Sequence, residues 1–152
     1  MNRTRKGFTL VEILIVVIIL GILAAIVIPQ FTSASTDARN SQISSDLQTL
    51  RSQLQLYKIQ HNDCYPDDIA SIGTDPVKFA AQLTSKTNAD GTTTGTPTLG
   101  PYFTKMPTNT FVTSGTTIKI GSTAVAGDGT SGWYFDTNLN KLSPNDSAHS
   151  GL

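Results

Sequence analysis

Thiols are nearly missing from this chain: Cys64 is the one cysteine in 152 residues. That excludes an internal disulfide and any thiol-rich metal cluster. Histidine is almost as scarce, and His61 and His149 leave little from which to build a zinc site. The sequence also has no nucleophile motif in a Ser/His/acid arrangement, no phosphate-cradling glycine loop and no HExxH, so it does not read as an enzyme. Asp67-Asp68 is an adjacent carboxylate pair after a helix end and reads as solvated; the lone Gly127-Asp128-Gly129 is a weak signal for any ligand. Excess charge of one sign is missing too. Eleven basic side chains face 11 acidic ones, which excludes a nucleic-acid binder that works by bulk positive charge, and no nucleic-acid partner is expected. The balance hides an asymmetry: without residues 1–7 it becomes 8 basic against 11 acidic.

What the chain does have is a long apolar run. Between Glu12 and Asp37 lie 24 uncharged residues, and Ile13–Ile28 is apolar without a break. With Phe8, Leu10 and Val11 in front, the stretch reaches the roughly 20 residues a helix needs to cross a bilayer. Arg3, Arg5 and Lys6 on its N-terminal side predict a cytoplasmic N-terminus by the positive-inside bias. A secretory signal peptide and an ordinary single-span anchor both fit this pattern. Against the first, no A-x-A site ends the run and a helical pattern continues past it. Both leave Glu12 unexplained. A carboxylate in such a span costs about 2.5–3.5 kcal/mol on insertion scales, less near the interface. No basic residue lies between Gly7 and Arg39, so its partner is not expected in a nearby side chain. A cut between Gly7 and Phe8 would place a new α-amino group about one helical turn before Glu12. That is a physical reason to expect processing at this bond.

The residues Lys6-Gly7-Phe8-Thr9-Leu10-Val11-Glu12-Ile13-Leu14 resemble the class III signal of type IV pilins and pseudopilins: a short basic leader, Gly, then FTLxE and a long apolar helix. The resemblance runs from Met1 to about Phe31 and includes Gly21 and Pro29 at the family's usual spacing. It implies cleavage after Gly7 by a membrane prepilin peptidase, N-methylation of Phe8, and assembly of the mature chain into a helical filament through Glu12, Gly21 and Pro29. The implied division is residues 1–7 as a removed leader, 8–31 as membrane or filament-core helix, and 32–152 as the head with the second half of the helix.

Pro29 lacks an N–H and crowds the carbonyl of Ala25, so the helix is expected to kink or loosen there, with Gly21 adding backbone freedom. In filaments of the family the segment between the matching Gly and Pro tends to lose helicity. From Thr32 the helix is expected to resume, and Ile43, Leu47, Leu50, Leu54 and Tyr57 form a stripe of helical period, read as core for a head packed on the helix. It should stop near Asn62, because Pro66 cannot continue it. His61-Asn62-Asp63-Cys64-Tyr65-Pro66 resembles the segment that ends this helix in many pseudopilins. Cys64 reads as a buried or partly buried free thiol rather than a metal ligand with His61. Asp75 or Thr74 should cap a short helix with Pro76 in its first turn. Residues 84–98 read as an exposed loop with a turn at Asp90-Gly91. Gly100–Pro107 and Gly132–Asp136 resemble elements of pseudopilin heads. Residues 110–113, 116–121 and 132–136 read as strands, and residues 137–140 as a hairpin turn returning in Lys141–Ser143 before Pro144 closes the strand.

The expected fold is therefore α+β, a long N-terminal helix whose second half packs against a small antiparallel β-sheet, as in pilins. The resemblance is greatest to the major pseudopilins of type II secretion systems, which bind calcium in a C-terminal loop. Asp128, Asp136, Asn138 and Asn140 are oxygen donors in about that region. The usual acidic run is missing, so no cofactor is expected and calcium stays a weak candidate. The single cysteine departs from adhesive pilins, whose C-terminal disulfide needs two. The implied function is a structural subunit of a secretion pseudopilus in the bacterial inner membrane and periplasm. Its implied partners are identical subunits, the peptidase and an inner-membrane assembly platform. A type IV pilus subunit for adhesion, motility or DNA uptake stays open, as does a monomeric membrane-anchored binding module.

Overall fold

The computed structural model describes residues 7–125 and 127–152. In chain order, helix α1 covers Leu10–Gln60, a 3-10 turn covers Pro66–Asp68, and helix α2 covers Pro76–Thr84. Three strands follow: β1 Ile118–Gly121, β2 Trp133–Asp136 and β3 Lys141–Pro144. The chain divides after Asn40 into two compact units, and α1 contributes to both.

In the first unit α1 is continuously helical through Gly21 and Pro29. The hydroxyls of Thr32, Ser33 and Thr36 donate back to the carbonyls of Ile28, Gln30 and Thr32 at 3.1–3.2 Å. From Phe8 to Phe31 none of the large apolar side chains is less than 41% exposed. The helix is long and apolar enough to cross a membrane.

In the second unit the stripe read from the sequence is the buried face of α1: Ile43, Leu47, Leu50, Leu54 and Tyr57 are all at most 3% exposed. They join Phe79 and Leu83 of α2, Met106, Ile118 and the sheet residues Trp133, Phe135 and Leu142 in one core. Asp75 caps α2 by accepting from the amides of Val77 and Lys78, with Pro76 in the first turn where a missing N–H costs nothing.

The sheet has the order β1-β2-β3 and is mixed rather than wholly antiparallel: β1 runs parallel to β2, and β2 antiparallel to β3. Between β1 and β2 the chain crosses over the far face of the sheet, where the Tyr134 hydroxyl donates to the Thr123 carbonyl at 2.8 Å. All four residues of β2 are consequently buried. The β2–β3 hairpin turns at residues 137–140 as expected, with Asn140 at φ 50°, and Pro144 is the last residue of edge strand β3.

Two loops differ from expectation. Residues 110–113 are turns rather than a strand, because the buried Asn109 side chain accepts from the Phe111 amide and donates to the Gly132 carbonyl and Asp146. This needs close backbone approach: a methyl group on Gly132 would overlap the Gly115 carbonyl. The loop after α2 is anchored rather than simply exposed. Thr87 is fully buried and pairs with Leu99, and the Gly91 carbonyl accepts from Gln82, whose Oε1 accepts from the Tyr57 hydroxyl.

Candidate functional site

The processing and assembly residues fall at the start of α1. Gly7, Phe8 and Thr9 precede the helix and are exposed. Arg3, Arg5 and Lys6 lie outside the described residues. Glu12 is in the first turn and has a local partner that the sequence reading missed. The Thr9 hydroxyl accepts from the Glu12 amide at 3.2 Å, while Glu12 Oε2 accepts from the Thr9 amide at 2.8 Å and from its hydroxyl at 2.7 Å. This is a capping box, whose signature, Thr9-x-x-Glu12 before an apolar run, was legible. It corrects the expectation that no nearby side chain serves Glu12. It satisfies the carboxylate with neutral donors and leaves its charge uncompensated, since no ion pair reaches Glu12 among the described residues. A Cβ at Gly7 or at Gly21 would meet nothing within 4 Å, so this chain's own packing requires glycine at neither position.

Below the helix end, His61 and Cys64 do not form a metal pair. The His61 ring is 1% exposed and stacks on Tyr57 at 3.7 Å. Its Nδ1 bonds the Tyr57 carbonyl and its Nε2 the Thr87 hydroxyl, both at 2.9 Å. Burial holds the imidazole below its ordinary pKa, against the upward pull of the Tyr57 and Asn88 backbone groups and the Asp90 carboxylate. Cys64 is a half-buried free thiol, as expected. Asp67 is a correction: it is half-buried, and its Oδ1 is buried without a partner. Burial, with the neighbouring Asp68 carboxylate adding to it, pushes Asp67 up to about 6.

The calcium candidates are dispersed among other partners. Asp136 Oδ1 accepts from the amides of Asn138 and Leu139 at 2.9 and 3.1 Å and so shapes the β2–β3 turn. The Asn138 side-chain amide donates to the Ser122 carbonyl, and Asn140 supplies the positive-φ turn position. Asp128 Oδ2 lies 2.6 Å from Lys119 Nζ. Its Oδ1 accepts from the Thr130 amide and hydroxyl and from Asn145 Nδ2, at 3.0, 2.7 and 2.7 Å. These donors, the Lys119 ammonium first, hold the Asp128 carboxyl far below the usual carboxylate range. Calcium takes six to eight oxygen ligands. Here Oδ1 is fully occupied by donors and Oδ2 faces an ammonium, while Asp136, Asn138 and Asn140 are engaged elsewhere, so the residues present do not fit the ion. Among the described residues no cluster of three or more His, Cys, Asp or Glu could hold a metal.

Residues 2–28 match the prokaryotic N-terminal methylation motif. The chain is also similar to type II secretion system core protein G. It is 40% identical to that of Dickeya chrysanthemi over 73 residues, covering 48% of this chain and 47% of that protein. It is 44% identical to that of Pseudomonas aeruginosa over 65 residues, covering 43% and 45%, and 39% identical to that of Vibrio cholerae over 64 residues, covering 42% and 43%. The chain thus matches a little under half the length of these relatives. No solved structure matches it.

Proposed function

We propose that this chain is a structural, non-enzymatic subunit of a type II secretion pseudopilus. It is made with a basic leader, cut between Gly7 and Phe8 by a prepilin peptidase, methylated on Phe8, and assembled with identical subunits by an inner-membrane platform. Its orientation before assembly is single-pass with a cytoplasmic N-terminus, as the leader's positive charges favour. The head works without a cofactor.

One observation carries this reading: the first half of α1 is apolar all round and unburied within the chain, with a single carboxylate, Glu12, at its start. A helix of that composition needs lipid or copies of itself around it. The carboxylate explains how one environment is exchanged for the other. In the bilayer it is a cost, and a neighbouring subunit's Phe8 amine can relieve it on docking and so set that neighbour's register. N-methylation preserves the charge, because a secondary amine stays protonated. The exposed, non-helical Gly7–Phe8 bond supports processing there. Cleavage also removes the three positive charges that would otherwise pin the subunit in the membrane.

The test is N-terminal sequencing and intact mass of the membrane-extracted protein made with a prepilin peptidase. The expected chain begins at Phe8 and carries one methyl group. A mature chain beginning at Met1 or near Ala34 contradicts the proposal. Gly7→Ala should be cut more slowly than wild type but faster than a bulky replacement, since any size limit at Gly7 comes from the peptidase and not from this chain.

A further inference from the structure

We infer that the Lys119 ammonium is the built-in cation of this head's C-terminal loop, tying β1 to the loop through Asp128, so that the fold does not depend on a divalent ion. Strand alternation sends Ile118 into the core and turns Lys119 to the opposite face of β1. The crossover returns over that face and brings the Asp128 carboxylate to the ammonium. Gly127 and Gly129, at φ 62° and 67°, make the turn that presents Asp128.

The same carboxylate reaches the segment after β3. Asn145, fully buried, donates from Nδ2 to Asp128 Oδ1 and to the Ser131 hydroxyl, and its carbonyl accepts from the Gly129 amide at 2.8 Å. One side chain thereby ties together β1, the crossover and the tail. Oδ1 is fully occupied, by the Thr130 amide, the Thr130 hydroxyl and Asn145 Nδ2, and Oδ2 faces Lys119 Nζ. Asn145 Oδ1 is buried without a partner, but the group it turns to Asp128 is its amide nitrogen. A dication approaching Asp128 would meet an ammonium and N–H groups, and both repel it.

The test uses the full chain in detergent micelles, with thermal melting followed by the fluorescence of Trp133, the chain's one tryptophan. The wild-type midpoint is expected to be the same in excess calcium chloride and in EDTA. Lys119→Met should lower it by roughly 3–6 °C in EDTA, and Asp128→Asn by a similar amount. The double variant should fall no further than the lower single variant, as for two partners in one contact. Lys119→Arg should keep most of the wild-type value. A wild-type midpoint that rises with calcium, or heat released on titrating calcium into the wild-type chain, overturns the inference without need of any variant. An unchanged midpoint in Lys119→Met also overturns it.

Discussion

Asp67 shows how one carboxylate can set the sign of a pH response. In an unfolded chain it titrates near pH 4. In the folded head burial raises it to about 6. The folded chain therefore holds the proton more tightly, and Asp67 costs stability once ionised. That cost is absent below about pH 4, grows up to about pH 6 and is complete above it. Asp128 and Asp146 act in the opposite sense. At Asp146 burial pushes upward, but the Asn109 amide and His149 outweigh it, so both carboxylates sit below their usual range. The stability they contribute is present above about pH 4 and is lost as the pH falls through their folded values. Asp67→Asn is predicted to raise the melting midpoint near neutral pH and to leave it unchanged below about pH 4. A lower midpoint at neutral pH would show that ionised Asp67 stabilises the head. In the sequence Asp67 and Asp68 are indistinguishable neighbours, and only packing buries one and exposes the other. Thr9 and Glu12, by contrast, were readable together, because a capping box is local.

For the elements, periodicity was a good guide wherever one face is buried. The five residues of the α1 stripe are the five buried residues of that helix, and the cap of α2 lies where Asp75-Pro76 placed it. Leu50→Ala and Leu54→Ala are each predicted to cost about 2–5 kcal/mol in denaturant unfolding of the full chain, as large-to-small changes in a packed core do. Near-neutral results for both would put the stripe against another subunit or solvent. Propensity misled at residues 110–113, where Thr, Phe and Val look strand-like but the buried Asn109 side chain takes over backbone pairing. The parallel β1–β2 pairing was not legible either. It depends on where the crossover packs, which no short pattern encodes.

At the scale of the whole molecule, the chain combines a head that satisfies itself with a helix segment that does not. The head closes its core and ties its loops with its own side chains. The segment from Phe8 to Phe31 exposes its apolar surface and one carboxylate, and so calls for an environment that the chain does not supply. That division was plain in the sequence, because uninterrupted hydrophobicity and a lone charge are properties of composition. The proposed partner of Glu12 was not plain from composition; it comes from the family resemblance, because one chain alone does not display a neighbour. The most direct test is filament yield, by shearing and immunoblot, for Glu12→Gln and Glu12→Leu, with leader cleavage measured in the same strains. Both variants should insert and be cut as wild type does while filament yield falls sharply, Leu no better than Gln although it enters the membrane more easily. Normal filament yield in both variants would contradict charge pairing at Glu12 and remove the mechanism proposed for assembly.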